Sequence, residues 1–293
     1  LGGLSRREFI LMGMLMLLLM LMASLAALAL GINVSQAIAF ALLMSIPLNL
    51  LVYYYSDQIV LAMTRAKLVD ESEAPLLHRI VERVAMRAGI PKPRVAIVPT
   101  DVPNAFATGR SPEKAVVAVT RGAIRLLSED ELEAVIGHEI SHVKHRDVLV
   151  ATMAAVIASA IGWLAYTARW GAIFSYGDRE ERGSTLVLLL ASILVPIFAA
   201  MIQMAISRAR EYKADEGSAY ITRKPHALIS ALQRIENYVR RKPETRMNPS
   251  TSCLWIVNPF RGSSLEELFS THPPTWKRIE RLRRIAREMG LSI

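Results

Sequence analysis

Three residues in one short run have the types and spacing to do hydrolytic chemistry: His138, Glu139 and His142, in the order His-Glu-Ile-Ser-His. On a helix, positions four apart lie one above the other, so both imidazoles point at one place and can share one metal ion. Glu139 is the next residue round the helix and reaches a water at the same ion. Zinc lowers the pKa of such a water toward about 7, within range of a carboxylate base. The pattern therefore predicts one Zn2+ per chain, with His138 and His142 as ligands and Glu139 as the general base of a peptide-bond hydrolysis.

A catalytic zinc needs a third protein ligand and one open position. Val148, six residues after His142, cannot supply it. His145 shares the helical face of His138, but three ligands on consecutive turns of one straight helix do not converge tetrahedrally; it is read as supporting or structural. A separate carboxylate is needed, and Glu211 is the candidate, in Arg-Ala-Arg-Glu-Tyr-Lys-Ala-Asp at 208–215. On spacing alone two roles stay open for it: ligand, or partner of Arg208 and Lys213 on a solvated face. Asp215, one turn on, is placed to accept a hydrogen bond from a ligand imidazole and fix its tautomer. His272, before two prolines, either folds back to steady Glu211 or the oxyanion or stays an exposed loop residue. His78 and His226 are read as structural.

The elements that must hold these residues follow from the pattern of charge. No charged residue occurs from Phe9 to Ser56, from Val148 to Ala168, or from Gly183 to Ser207. A bilayer core takes about 20 apolar residues as helix. Four spans are expected, near 9–30, 36–55, 148–168 and 186–206, the first too long for a signal peptide. The net charge of +9 gathers beside the spans on one side (Arg6, Arg7, Arg65, Lys67, Lys144, Arg146, Arg208, Arg210, Lys213). That is the positive-inside pattern, and it predicts a membrane surface rather than nucleic acid as the charged partner. Residues 57–147 and 208–293 then lie in the cytoplasm, between a hairpin at 1–56 and another at 148–207. With Cys253 the single cysteine, no intramolecular disulfide can form.

Within the soluble parts, residues 72–89 read as an amphipathic helix, and 94–98, 104–108 and 114–120 as strands. Gly109-Arg110-Ser111-Pro112 reads as a hairpin connection. Asn104, Ala105, Phe106 and Ala107 form a candidate edge strand able to bind an extended polypeptide through its backbone. Ser128-Glu129-Asp130-Glu131 is a capping box opening the His138 helix, which is expected to run on into the third span. Helices are also expected over 208–220, 226–241 and 274–289. The fold class is α+β, mainly α: a multi-pass membrane protein with a zincin-like cytoplasmic domain and a small β-sheet.

The run Ala134–His142, together with Arg-Glu-Tyr-Lys-Ala-Asp at 210–215, resembles the HtpX-type membrane metalloproteases, gluzincins related to the CAAX prenyl proteases. The likeness extends to Pro103–Gly109 and to Ser-Thr-His-Pro-Pro-Thr at 270–275. It implies Glu211 as third zinc ligand. It also implies proteolytic quality control of membrane proteins on the cytoplasmic side of the cell membrane, often under stress. The alternative is a narrower protease that matures one lipidated or secreted substrate. Nothing in the sequence fixes the oligomeric state.

Overall fold

The computed structural model describes residues 6–30, 33–149, 152, 208–241, 256 and 273–291. Two long helices, α1 (Arg6–Leu30) and α2 (Val34–Met63), pack as a hairpin. Asn33 starts α2 by accepting hydrogen bonds from the Ser35 and Gln36 amides. Phe40, Leu43 and Ile46 on α2 are each more than 60% exposed. Among the described residues α2 is the helix long and apolar enough to cross a bilayer, with a mean hydropathy of 1.9 over its most apolar stretch. At 1.5 Å per residue it is also longer than a bilayer core of about 30 Å requires. Its last turns belong to the soluble domain: Val60 and Leu61 are buried, and Asp57 pairs with Arg94 at 3.2 Å. The expected spans at 148–168 and 186–206 lie outside the described residues, apart from Val148, Leu149 and Thr152.

The sheet has four strands in the order β1 (Lys67–Leu68), β2 (Arg94–Val98), β4 (Val116–Thr120), β3 (Ala105–Thr108). β2 and β4 run parallel, and the two outer pairs are antiparallel. β4 is buried at every position, as a valine-rich central strand covered on both faces should be. It starts at Val116 rather than 114 because Pro112–Lys114 form a 3-10 turn. β1, two residues long, carries no alternation to read. β3 is an edge strand of the sheet, yet all four of its residues are buried.

The helices around the sheet are α3 (Pro75–Ala88), α4 (Arg121–Leu126), α5 (Glu129–Lys144), α6 (Arg208–Thr222), α7 (Pro225–Arg241) and α8 (Thr275–Glu288). α3 has proline in its first turn and ends on Gly89, whose φ of 72° suits a residue without Cβ. Ile80 and Val84 of α3, Ile136 and Ile140 of α5, Leu228, Leu232 and Ile235 of α7, and Leu282 of α8 share one core. The stretches before and after 150–207 therefore share one core.

One expectation about the His138 helix is corrected. α5 opens with the capping box, Ser128 and Glu131 bonding each other's amides, but it does not run on into residue 148. The Asp147 amide bonds the His142 carbonyl and the Arg146 amide bonds the Val143 carbonyl, at 3.0 Å each. This is a Schellman closure, with Arg146 left-handed at φ 56° where glycine is usual. The reversal separates the histidine helix from the following apolar run and turns Asp147 back toward His142.

Candidate metal centre

The site is built where α5 and α6 cross. Gly217 of α6 faces Ser141 of α5, and a Cβ on that glycine would come within 2.8 Å of the Ser141 Cβ. Ser218 donates from its hydroxyl to the Ala134 carbonyl at 2.6 Å. Small residues at the crossing let the two helices approach closely enough for Glu211 to reach the histidines.

Three residues then form a triangle of candidate ligands. His138 Nε2 and His142 Nε2 are 3.3 Å apart. Glu211 places Oε2 3.5 Å from His138 Nε2 and Oε1 3.3 Å from His142 Nε2. A tetrahedral ion with ligands at about 2.0–2.1 Å needs ligand atoms about 3.3–3.4 Å apart; the two imidazole nitrogens meet that spacing, and each Glu211 oxygen comes close to it from one of them. The fit extends to charge. Glu139, Glu211 and Asp215 are all buried; among the described residues Arg278 pairs with Asp215, and the other buried guanidinium, Arg210, pairs with Asp147. The carboxylates of Glu139 and Glu211, left in a water-poor pocket, match a dication.

Each histidine has a carboxylate behind it. His138 Nδ1 lies 3.0 Å from Asp215 Oδ1, which places its proton on Nδ1 and leaves the Nε2 lone pair facing the triangle. Asp215 is gripped in turn by Arg278, Nη2 to Oδ1 at 2.6 Å and Nε to Oδ2 at 2.9 Å. Burial alone would raise the Asp215 pKa, but the Arg278 charge and the bonds from His138 and Arg278 hold it below the ordinary carboxylate range. Behind His142, Asp147 lies at 3.8 Å and is itself bound by Arg210. Burial by itself lowers both imidazole pKa values, yet the carboxylates around them push both upward: Asp215 and Glu211 at His138, Asp147 and Glu211 at His142. The field at the triangle favours positive charge.

Glu139 stands beside the triangle. Its Oε2 accepts a hydrogen bond from the Ala107 amide of β3 at 3.0 Å. Burial pushes its pKa up, against the opposing pull of His138 and His142. The Thr120 amide bonds the Asn104 carbonyl, which fixes the alternation of β3. Residues 104, 106 and 108 face β4, while Ala105 and Ala107 turn their backbone groups outward.

The structure thus brings His138, Glu139, His142, Glu211 and Asp215 into one site with Ala105 and Ala107 along its edge. Asn104 is at the strand's start, but its side chain holds the Ile256 amide at 2.9 Å instead of facing the open edge. Phe106 is buried, as are Ala105 and Ala107, and its side chain lies on the opposite face of the strand from theirs. His145 is exposed and bonds the Ser141 carbonyl at the end of α5, away from the triangle. His272 lies outside the described residues. Arg278 and Asp147 were not singled out from sequence. Arg278 reads as one more cation in a basic helix, and Asp147 follows from a chain reversal that apolar periodicity does not reveal.

Residues 71–286 match the sequence profile of peptidase family M48. The "Protease HtpX homolog" of Pyrococcus furiosus is 60% identical over 252 residues, 86% of this chain and 87% of its own. That of Aquifex aeolicus is 50% identical over 256 residues, 85% and 84% of the two chains. Among solved structures, Ste24p of S. mikatae aligns with 84% of this chain and 58% of its own, at 18% identity and a TM-score of 0.47.

Proposed function

The chain belongs to peptidase family M48 and is a metalloprotease, a hydrolase of polypeptides, and from that premise we propose that it is a zinc endopeptidase of the membrane that cuts misfolded or damaged membrane proteins on the cytoplasmic side. The observation that carries the proposal is the donor triangle of His138, His142 and Glu211 with a buried carboxylate, Glu139, beside it.

When bound, zinc supplies Lewis acidity toward the scissile carbonyl and makes water a stronger acid. The protein's own residues do the rest. Asp215, locked by Arg278, keeps the His138 ring in the tautomer that offers Nε2. Glu139 takes the proton of the attacking water and passes it to the leaving amine nitrogen. The Ala107 amide aims that carboxylate, which keeps a second oxygen for the proton. The edge of β3 receives the substrate as an added strand. Its outward residues, Ala105 and Ala107, offer backbone and almost no side chain. That favours broad selection of extended segments over recognition of one sequence, and so a quality-control protease over a narrow processing enzyme. The exposed apolar face of α2 supports a membrane setting, in which residues 9–30, 36–55, 148–168 and 186–206 are the four spans.

Zinc removal tests the chemistry. Cleavage of unfolded proteins, mapped by mass spectrometry, should stop on chelation and return with zinc. Glu139→Gln should keep the metal and lose about 100- to 10,000-fold in rate, the usual weight of a general base. A metal-free chain that still cleaves, or a Glu139→Gln enzyme near wild-type rate, overturns the mechanism.

A further inference from the structure

A second polar feature lies away from the metal triangle, where the soluble domain meets α2. The turn after β3 carries Arg110, whose guanidinium carbon sits 5.0 Å from the centre of the Tyr54 ring. Beside it runs a narrow, open cleft lined by Arg110, Ala115, Val143, Arg146, Val148 and Leu149. Two arginines thus share one cleft whose other walls are mostly apolar, with Ser111 the other polar side chain in its lining. Among the described residues neither arginine makes an ion pair. The nearby acid, Glu113, is exposed and bonded to Ser111; Arg146 acts on it only through its charge, as the smallest of the influences that lower its pKa.

The level of the cleft is set by the chain on both sides. Tyr53-Tyr54-Tyr55 closes the uncharged run of α2, and Asp57 follows it. Val148 opens the next uncharged run two residues after Arg146. Tyrosine at the end of a span and arginine just beyond it mark the headgroup layer of a bilayer. Leu50 and Leu51, one turn toward the bilayer from Tyr54 on the same face, are about half exposed. Arg146 also holds a left-handed conformation that glycine would occupy without strain. Arg65 and Arg223 share that conformation, but neither borders this cleft. Two arginines beside a mostly apolar cleft at the level of the headgroup layer point to an anion bound there.

We propose that this cleft binds the phosphate of an anionic bilayer lipid between Arg110 and Arg146, with the acyl chains along Leu50 and Leu51 of α2. The site rests on the membrane reading above. It would tether the turn of the hairpin whose other strand residue, Ala107, aims Glu139. β3 would then be held at one end by the membrane and at the other by the metal site.

The test uses the full chain, purified in detergent and titrated with phosphatidylglycerol, with bound lipid counted by native mass spectrometry. The wild type should retain one phosphatidylglycerol per chain in preference to phosphatidylcholine, and equimolar inorganic phosphate should not displace it. Arg146→Gly and Arg110→Gln should each retain at least about 10-fold less. Arg146→Gly is the informative variant because glycine suits the left-handed position, so its melting temperature should match or exceed the wild type's. Should it melt early, Arg110→Gln, in a surface turn, decides. Wild-type retention in a folded variant, or displacement of the lipid by equimolar phosphate, overturns the lipid site. Alkaline extraction of membranes separates this from the larger reading. A wild-type chain released by carbonate sinks the membrane assignment, whereas a chain that stays inserted without headgroup preference sinks the lipid site alone.

Discussion

Glu211, Asp215 and His145 are three polar residues that sequence spacing places near the two histidines, and the structure gives them three different depths of involvement. Glu211 contributes an oxygen to each side of the donor triangle. Asp215 touches only the far nitrogen of His138. His145 touches neither donor atom and closes the end of α5. Metal affinity should therefore fall most for Glu211→Gln, which replaces an anionic donor with a neutral amide. Asp215→Asn should cost about 10- to 100-fold in affinity or activity, as loss of a ligand's own hydrogen-bond partner usually does. His145→Ala should leave zinc content nearly intact. Zinc content measured by mass spectrometry across the three variants checks the order, and a His145→Ala protein that loses its metal while Glu211→Gln keeps it would remove Glu211 from the ligand set. His138, Glu139 and His142 were legible because all three lie within five residues of one helix. Arg278 was not, because its partner Asp215 is 63 positions away and nothing local distinguishes it from the neighbouring arginines.

At the scale of elements, the site depends on how closely α5 and α6 approach and on which way β3 faces. Gly217 leaves no room for a methyl group against Ser141. Gly217→Ala should push α6 outward, carry Glu211 off the triangle and lower zinc affinity. Ser141→Gly, which empties the space, should restore much of it. Equal zinc affinity in wild type and Gly217→Ala would show that the crossing does not set the ligand geometry. β3 gives a second prediction. Ala105 turns its amide outward, so Ala105→Pro removes a donor from the open edge without breaking the pairing with β4. Cleavage of extended peptides should weaken while zinc stays bound; unchanged kinetics in a folded, zinc-loaded protein would place the substrate elsewhere. The start of α5 could be read from Ser128 and Glu131 because a capping box is local chemistry. Its end could not, because Arg146 takes the role that glycine signals in most sequences, and apolar residues continue on both sides of it.

For the whole molecule, the two soluble segments that flank 148–207 fold around one core, with Ile136 and Ile140 of the first piece packed against Leu228, Leu232 and Leu282 of the second. The sequence reads as two amphipathic blocks separated by uncharged runs; if those runs cross a bilayer, a common core requires both blocks on one face of it. The excess of lysine and arginine beside the spans predicts that this face is cytoplasmic. Labelling tests it in a Cys253→Ser background. Glu71 is exposed on the soluble domain, its side chain 72% accessible, whereas Ser56 at the end of the apolar run is buried and would not report. Glu71→Cys should react with a membrane-impermeant maleimide only when the cytoplasmic face is opened. Ser175→Cys, in the segment between the third and fourth expected spans, should react from outside in intact cells. Four spans require this opposition, because one span, 148–168, separates the two positions and a single crossing puts them on opposite faces. If both positions label from one side, the hairpin at 148–207 does not cross. If the sides are exchanged, the His138–Glu211 site faces the other compartment and the substrates are exported proteins instead of cytoplasmic segments of membrane proteins.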